Sequence, residues 1–113
     1  MPSKNKQKTD LLQGTLDLIV LQMLQAQPSN GWELTQRINV VSKDVLSVNA
    51  GSLYPALYRL EGRGWIRAEW RASENNRRAK FYMVTAAGRR NLAAERDTWQ
   101  RFAGALAAIL RTT

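Results

Sequence analysis

The stretch NAGSLYPALYRLEGRGWI, residues 49–66, leaves a chain little choice of local structure. Leu53, Ala56, Leu57 and Leu60 fall within about 100° of one another on a helical projection, which makes a core stripe. Pro55 lacks an N–H and is tolerated only near a first turn, so the helix must start between Asn49 and Ser52. Gly62 and Gly64 then stop it. The outward side carries Gly51, Pro55, Tyr58 and Gly62, flanked by Ser52, Tyr54 and Arg59. A merely solvated face would carry lysine and glutamate instead. Small residues at a helix N-terminus let a large partner approach the free amides, and those amides favour phosphate. Tyr58 and Arg59 add a hydroxyl, an aromatic face and a planar cation, while Tyr54 sits at the edge of the stripe with its ring half inward.

Beyond Gly64 the pattern alternates. WIRAEW puts Ile66, Ala68 and Trp70 on one face, with Trp65, Arg67 and Glu69 on the other, and KFYMV sets Tyr82 beside Val84. RASENNRRA between them suits a hairpin tip. Its end is basic: Arg71, Arg77, Arg78 and Lys80 stand against Glu74.

Three further helices frame this unit. Residues 1–9 hold three lysines and almost nothing apolar, and read as a basic flexible arm. Thr9 or Asp10 can cap LLQGTLDLIVLQMLQAQ, which stops before Pro28. Leu12, Leu16, Ile19, Val20 and Met23 form one stripe of that helix, and Leu11, Leu18 and Leu21 lie opposite. A helix apolar on two sides is covered from two sides, by a second subunit or by another local helix. After the turn PSNG, WELTQRINVVS repeats apolar residues at Leu34, Ile38 and Val41. Thr85 can cap the last helix, whose stripe of Leu92, Trp99, Phe102, Ala103, Leu106, Ile109 and Leu110 has no later segment to cover it. It folds back on the first helix, packs on a twin subunit, or does both.

Composition removes whole classes of function. The chain has 113 residues, enough for one domain with one appended element. No cysteine and no histidine are present, so thiolate metal sites, disulfides and most nucleophile-and-base catalysis lack their parts. Neither an enzyme nor a bound cofactor is expected. No apolar run reaches the roughly 18 residues of a membrane span, and a reducing cytoplasm is the default compartment. Seventeen basic residues against nine acidic ones, a net of +8, favour a polyanionic partner.

The order of three helices and a hairpin with a basic tip is that of a winged helix-turn-helix domain, in which the third helix enters the DNA major groove and the wing reaches the flanking backbone. The fold class is therefore mostly α with a small β-hairpin: an arm over 1–9, a winged helix-turn-helix domain over 10–85 and a C-terminal dimerisation helix over 86–113. Asn49, Gly51, Ser52, Tyr54, Pro55, Tyr58, Arg59, Arg71, Arg77, Arg78 and Lys80 are the DNA-binding candidates. Leu11, Leu18, Leu92, Trp99, Phe102, Leu106, Ile109 and Leu110 are the dimerisation candidates. Trp99 near a two-fold axis would offer a wall for a small planar aromatic effector. A winged-helix module that binds an acidic protein, with no direct DNA role, is the alternative.

Three segments resemble a known family, the PadR-like transcriptional regulators: LLQGTLDLIVLQML its first helix, SLYPALYRLEGRGWI its recognition helix, and RRAKFYMVTAAGRRNL its wing and the junction beyond. Tyr54 and Pro55 match the recognition-helix motif, and Tyr82 and Thr85 the wing exit. With one helix after the wing, the chain resembles the short members. The resemblance implies a homodimeric regulator of double-stranded DNA, usually a repressor on an inverted-repeat operator, dimerised by its last helix and responsive to a small molecule.

Overall fold

In the computed structural model, the backbone is described over residues 2–113 and side chains from Gly14 onward. The order is α1 (Pro2–Ala26), β1 (Ser29–Asn30), α2 (Gly31–Val41), α3 (Ala50–Gly62), β2 (Ile66–Ala72), β3 (Arg78–Val84) and α4 (Ala86–Arg111). Helix α1 starts at Pro2 rather than at a cap on Thr9 or Asp10, which corrects the arm expected over 1–9. Proline suits a first helical turn, and the lysines and glutamines after it are good helix formers.

The core follows the sequence stripes. Val20, Leu21 and Leu24 of α1, Leu34 of α2, and Leu53, Leu57 and Leu60 of α3 meet Ile66, Tyr82 and Val84 of the sheet and Leu92 of α4. Both apolar sides of α1 find cover within the chain here, since Leu16, Leu18 and Met23 also pack against this cluster. Val41 departs from its expected stripe and lies 70% exposed at the end of α2.

The expected hairpin is part of a three-stranded antiparallel sheet ordered β1-β3-β2. Ser29 pairs with Tyr82 and Asn30 with Phe81, so the residues read as a plain turn form a short strand. The same Asn30 caps α2: its side chain accepts from the Glu33 N–H at 2.8 Å, and its own N–H donates to the Glu33 carboxylate at 3.0 Å. This reciprocal cap is worth about 1 kcal/mol. Arg37 closes the other side of the junction, donating to the Met23 carbonyl at 2.8 Å and to the Gln27 carbonyl at 3.0 Å. A cation at the carbonyl end of α1 is favourable, and it ties α2 to α1.

At the other end of α3, Gly64 takes φ +75°, which only glycine adopts freely, and the chain reverses into β2. The Thr85 hydroxyl donates to the Gly64 carbonyl at 2.7 Å and accepts from the Gly88 N–H at 3.1 Å. One side chain thus caps α4 and ties the wing exit to the recognition-helix turn. The first turns of α4 belong to the core, because Gly88 and Leu92 are buried. No residue beyond Leu92 is buried. Leu92 is therefore corrected from a dimer-face residue to an internal one; the helix only leaves its own domain one turn later.

Candidate nucleic-acid interface

Asn49 caps α3 as the sequence requires, its side chain accepting from the Ser52 N–H at 3.0 Å. This bond uses one helix-start amide and makes Asn49 a structural cap first. The core stripe Leu53, Ala56, Leu57 and Leu60 is buried, and Gly51, Ser52, Pro55 and Tyr58 are turned outward. Tyr58 is the most prominent of them, at 82% exposed.

Tyr54 takes the mixed seat expected of it. Half of it is exposed, and its hydroxyl end rests against Gly31 at the start of α2. A Cβ at position 31 would collide with that ring, so glycine there is what lets the recognition helix approach α2 so closely. The ring also helps line a cleft of about 550 Å³ between the wing and the start of α2.

The strand register decides which wing cations share that cleft. Trp70 pairs with Lys80 and Ala72 with Arg78, on the sheet face that carries Ile66, Ala68, Tyr82 and Val84. These side chains run past the edge of the core and line the cleft, where Arg78 lies over the Trp70 ring at 5.5 Å and Lys80 over Tyr82 at 5.5 Å. Arg77, at the tip, lines it too. Asn76 takes φ +58° there, a conformation asparagine tolerates well. Burial raises the Tyr82 hydroxyl pKa, partly offset by Lys80, so the phenol stays neutral.

Two expected contacts are placed elsewhere. Arg71 falls on the reverse face of the sheet with Arg67, Glu69 and Phe81. Its Nε donates to Glu69 at 2.6 Å and its guanidinium lies over Phe81 at 5.4 Å. That hydrogen bond, opposed by desolvation, holds the Glu69 carboxyl below its ordinary pKa. Arg71 thus lies on the sheet face opposite Arg78 and Lys80 and pairs with Glu69, because one residue of register reverses the face. Arg59 is not free either. Its Nη2 donates to Asp17 of α1 at 2.8 Å, and its side chain is only 27% exposed. The projection put it at the margin of the outward face but could not show that α1 brings a carboxylate alongside.

Two residues of this surface were absent from the sequence-derived candidates. Trp32, 69% exposed, and Trp70, 60% exposed, both line the cleft. Trp70 shares by alternation the face of Ile66 and Ala68, and only the finite length of the core exposes it. For Trp32 the signal lay in the chain: Asn30 followed by Glu33 marks a helix start, and the residue between them that faces away from Leu34 is free to contact a partner.

Among the dimerisation candidates, the Leu11 side chain lies outside the described ones, and Leu18 is half-buried against the chain's own core. Trp99, Phe102, Leu106, Ile109 and Leu110 are all exposed, by 42–74%, along one side of α4. Trp99 and Phe102 stack at 5.5 Å. Trp99 also borders an apolar groove of about 330 Å³ whose other walls include Ile19 and Met23 of α1 and Val41 of α2. Among the described residues, no helix is long and apolar enough to cross a membrane.

Comparison with known proteins agrees with this architecture. A transcriptional regulator from Clostridium thermocellum shares the fold, with a TM-score of 0.80 at 24% identity over 90% of this chain and 99% of that one. A Streptococcus transcriptional regulator superposes with a TM-score of 0.78 at 27% identity, over 89% of this chain and 97% of that one. A PadR-family transcriptional regulator from Eggerthella lenta is 26% identical, with a TM-score of 0.73 over 99% of this chain and 96% of that one. These are regulators rather than enzymes. The model of the transcriptional regulator PadR-like family matches residues 20–94, from the second half of α1 through the wing to the first turns of α4, and by that match the chain belongs to the PadR-like family of transcriptional regulators.

Proposed function

We propose that the chain is a sequence-specific double-stranded DNA-binding repressor that acts as a homodimer on an inverted-repeat operator. The observation that carries this reading is the pairing of two features on one side of the protomer: a helix whose outward face is small or aromatic, and a wing whose Arg77, Arg78 and Lys80 line the cleft beside it. Gly51, Ser52, Pro55 and Tyr58 enter the major groove, and the wing cations with Trp32 and Trp70 follow the phosphate backbone. The uncovered stripe on α4 is the dimer face. Two-fold symmetry then sets the recognition helices about 34 Å apart, one helical turn of duplex.

Salt dependence tests the electrostatic part. With Arg59 and Arg71 held tightly inside the protomer, Arg77, Arg78 and Lys80, the last only loosely paired with Glu61 at 3.6 Å, are the phosphate contacts of each subunit. The plot of log affinity against log salt should therefore have a slope of about −5 for the dimer, rather than the about −7 that four contacts per subunit would give. Fluorescence anisotropy of a labelled duplex across a salt series measures it, and a slope near zero would point to an acidic protein as the partner instead.

Gly31→Ala tests the seat of Tyr54. The added methyl displaces the outer end of the half-exposed Tyr54 ring that lies against Gly31, at a stability cost of at most about 1 kcal/mol, because a side-chain tip rather than backbone must move. Duplex affinity should fall at least several-fold while helix content by circular dichroism stays unchanged; unaltered affinity would remove Tyr54 from the interface.

A small planar aromatic ligand stacked on Trp99, in the groove against α1, would release the operator if it binds the dimer more tightly when the helix spacing misfits the duplex. Titration of such compounds while following tryptophan fluorescence and duplex release together tests this, and a compound that changes neither speaks against it.

A further inference from the structure

We propose that Asp17 is a positioning residue for DNA recognition: it holds Arg59 of the recognition helix and Arg63 at the end of that helix away from phosphate and so raises the discrimination between operator and random duplex. This role rests on the DNA-binding reading of the protein.

Over residues 14–26, Asp17 is the only charged residue of α1, whose other polar side chains there are Thr15, Gln22 and Gln25. Its side chain is 13% exposed, and a carboxylate so placed among leucines needs a cationic partner. It has two. Oδ1 accepts from Arg59 Nη2 at 2.8 Å, and Oδ2 lies 3.5 Å from Arg63 Nη1. Arg63 is the C-cap of α3, four residues after Arg59, so a single carboxylate from α1 bridges the last turn of α3 and its cap. Arg63 is gripped on its other side as well, with its guanidinium 5.2 Å from the Trp65 ring centre.

Arg59 lines one groove with Gly51, Ser52 and Pro55, so it borders the very face that meets DNA. If released, it could swing onto that face. Each cation free to meet phosphate strengthens binding to every sequence alike, whereas discrimination depends on the surplus earned by base contacts. A partly solvated ion pair adds little to stability. Holding two arginines on one carboxylate has a larger consequence for binding: it withholds sequence-independent attraction and sets the roll of α3 against α1.

The test uses the full chain, a duplex selected by the wild-type protein from genomic fragments, and a random-sequence duplex of equal length. Asp17→Asn should bind the random duplex more tightly at low salt, by about tenfold or more, with a log–log salt slope steeper by about 2–4 for the dimer, since each new phosphate contact contributes about 0.9 and each subunit frees one or two arginines. The preference for the selected duplex should fall about tenfold or more. Asp17→Glu, which keeps the charge, should return both quantities towards wild type. An Asp17→Asn slope and preference equal to wild type, in a protein shown to be folded by its thermal transition, would overturn the proposal and leave Asp17 a structural tie. Should Asp17→Asn fail to fold, Arg63→Gln decides, because Arg63 is half exposed and its loss is tolerable: a restrained arginine predicts an unchanged slope, and a dimer slope shallower by about two overturns the proposal. If wild-type protein selects and shifts no duplex at all, the DNA-binding reading fails and the role of Asp17 fails with it.

Discussion

A chain carrying Leu106→Glu together with Ile109→Glu should keep its fold and lose its operator. The two side chains are 43% and 64% exposed, and no residue beyond Leu92 is buried, so nothing inside the protomer loses packing when they change. In the proposed dimer they are central to the stripe that runs from Trp99 to Leu110. Glutamates there would have to be desolvated beside their symmetry mates, with no cation of the stripe to pair with. Two half-sites held together by a dimer act at an effective concentration in the millimolar range, which multiplies affinity by about 10²–10⁴ over a single reading head. That factor is what the double variant should lose. Sedimentation velocity gives the mass, circular dichroism the fold, and anisotropy the duplex affinity. A variant that remains dimeric, or a monomer that binds as tightly as before, would remove α4 from its proposed role.

The second large effect is expected at a position where a general rule has the opposite sign. Alanine in place of a helical glycine ordinarily stabilises by about 0.5–1 kcal/mol. Gly88 lies in the first turn of α4, yet a Cβ there would collide with the backbone carbonyl of Trp65, which cannot rotate aside as a side chain can. That carbonyl also accepts from the Thr85 N–H at 3.0 Å, so moving it disturbs the cap as well as the strand. Gly88→Ala should therefore destabilise by about 2–3 kcal/mol, as forced overpacking does. For a domain of this size that is a fall of roughly 10–20 °C in Tm. Gly104→Ala, where an added Cβ meets nothing within 4 Å, is the control and should raise Tm slightly. Equal shifts at both positions would show that the contact between α4 and the turn at Trp65 is not as close as the structure has it.

Legibility in the sequence tracked the range of the interactions involved. The recognition helix was readable almost completely, because its start at Asn49, its buried Leu53, Ala56, Leu57 and Leu60, and its stop at Gly62 and Gly64 all lie within a few residues of one another. The hairpin and the Thr85 cap were readable for the same reason. Pairings between distant segments were not. Ser29 joins a strand more than fifty residues away, and no local pattern marks two residues as a strand. The partner of Arg59 comes from α1, so a helical projection of α3 alone left it facing solvent. Arg71 and Lys80 read alike as basic residues of one hairpin, and only the register put them on opposite faces.

The order of residues alone determined the longer helices and the hairpin, the leucine-backed recognition helix with its compact and aromatic front, and the family. Periodicity, caps and glycine stops act locally, so the chain carries them in plain view. Tertiary structure alone decided which cations remain available to a polyanion, that Leu92 is internal while Trp99 to Leu110 are uncovered, and that glycines 31 and 88 sit where another element touches the backbone. Those outcomes depend on which surfaces come within a few ångströms after folding, since steric contact vanishes and hydrogen-bonded ion pairing weakens beyond that distance.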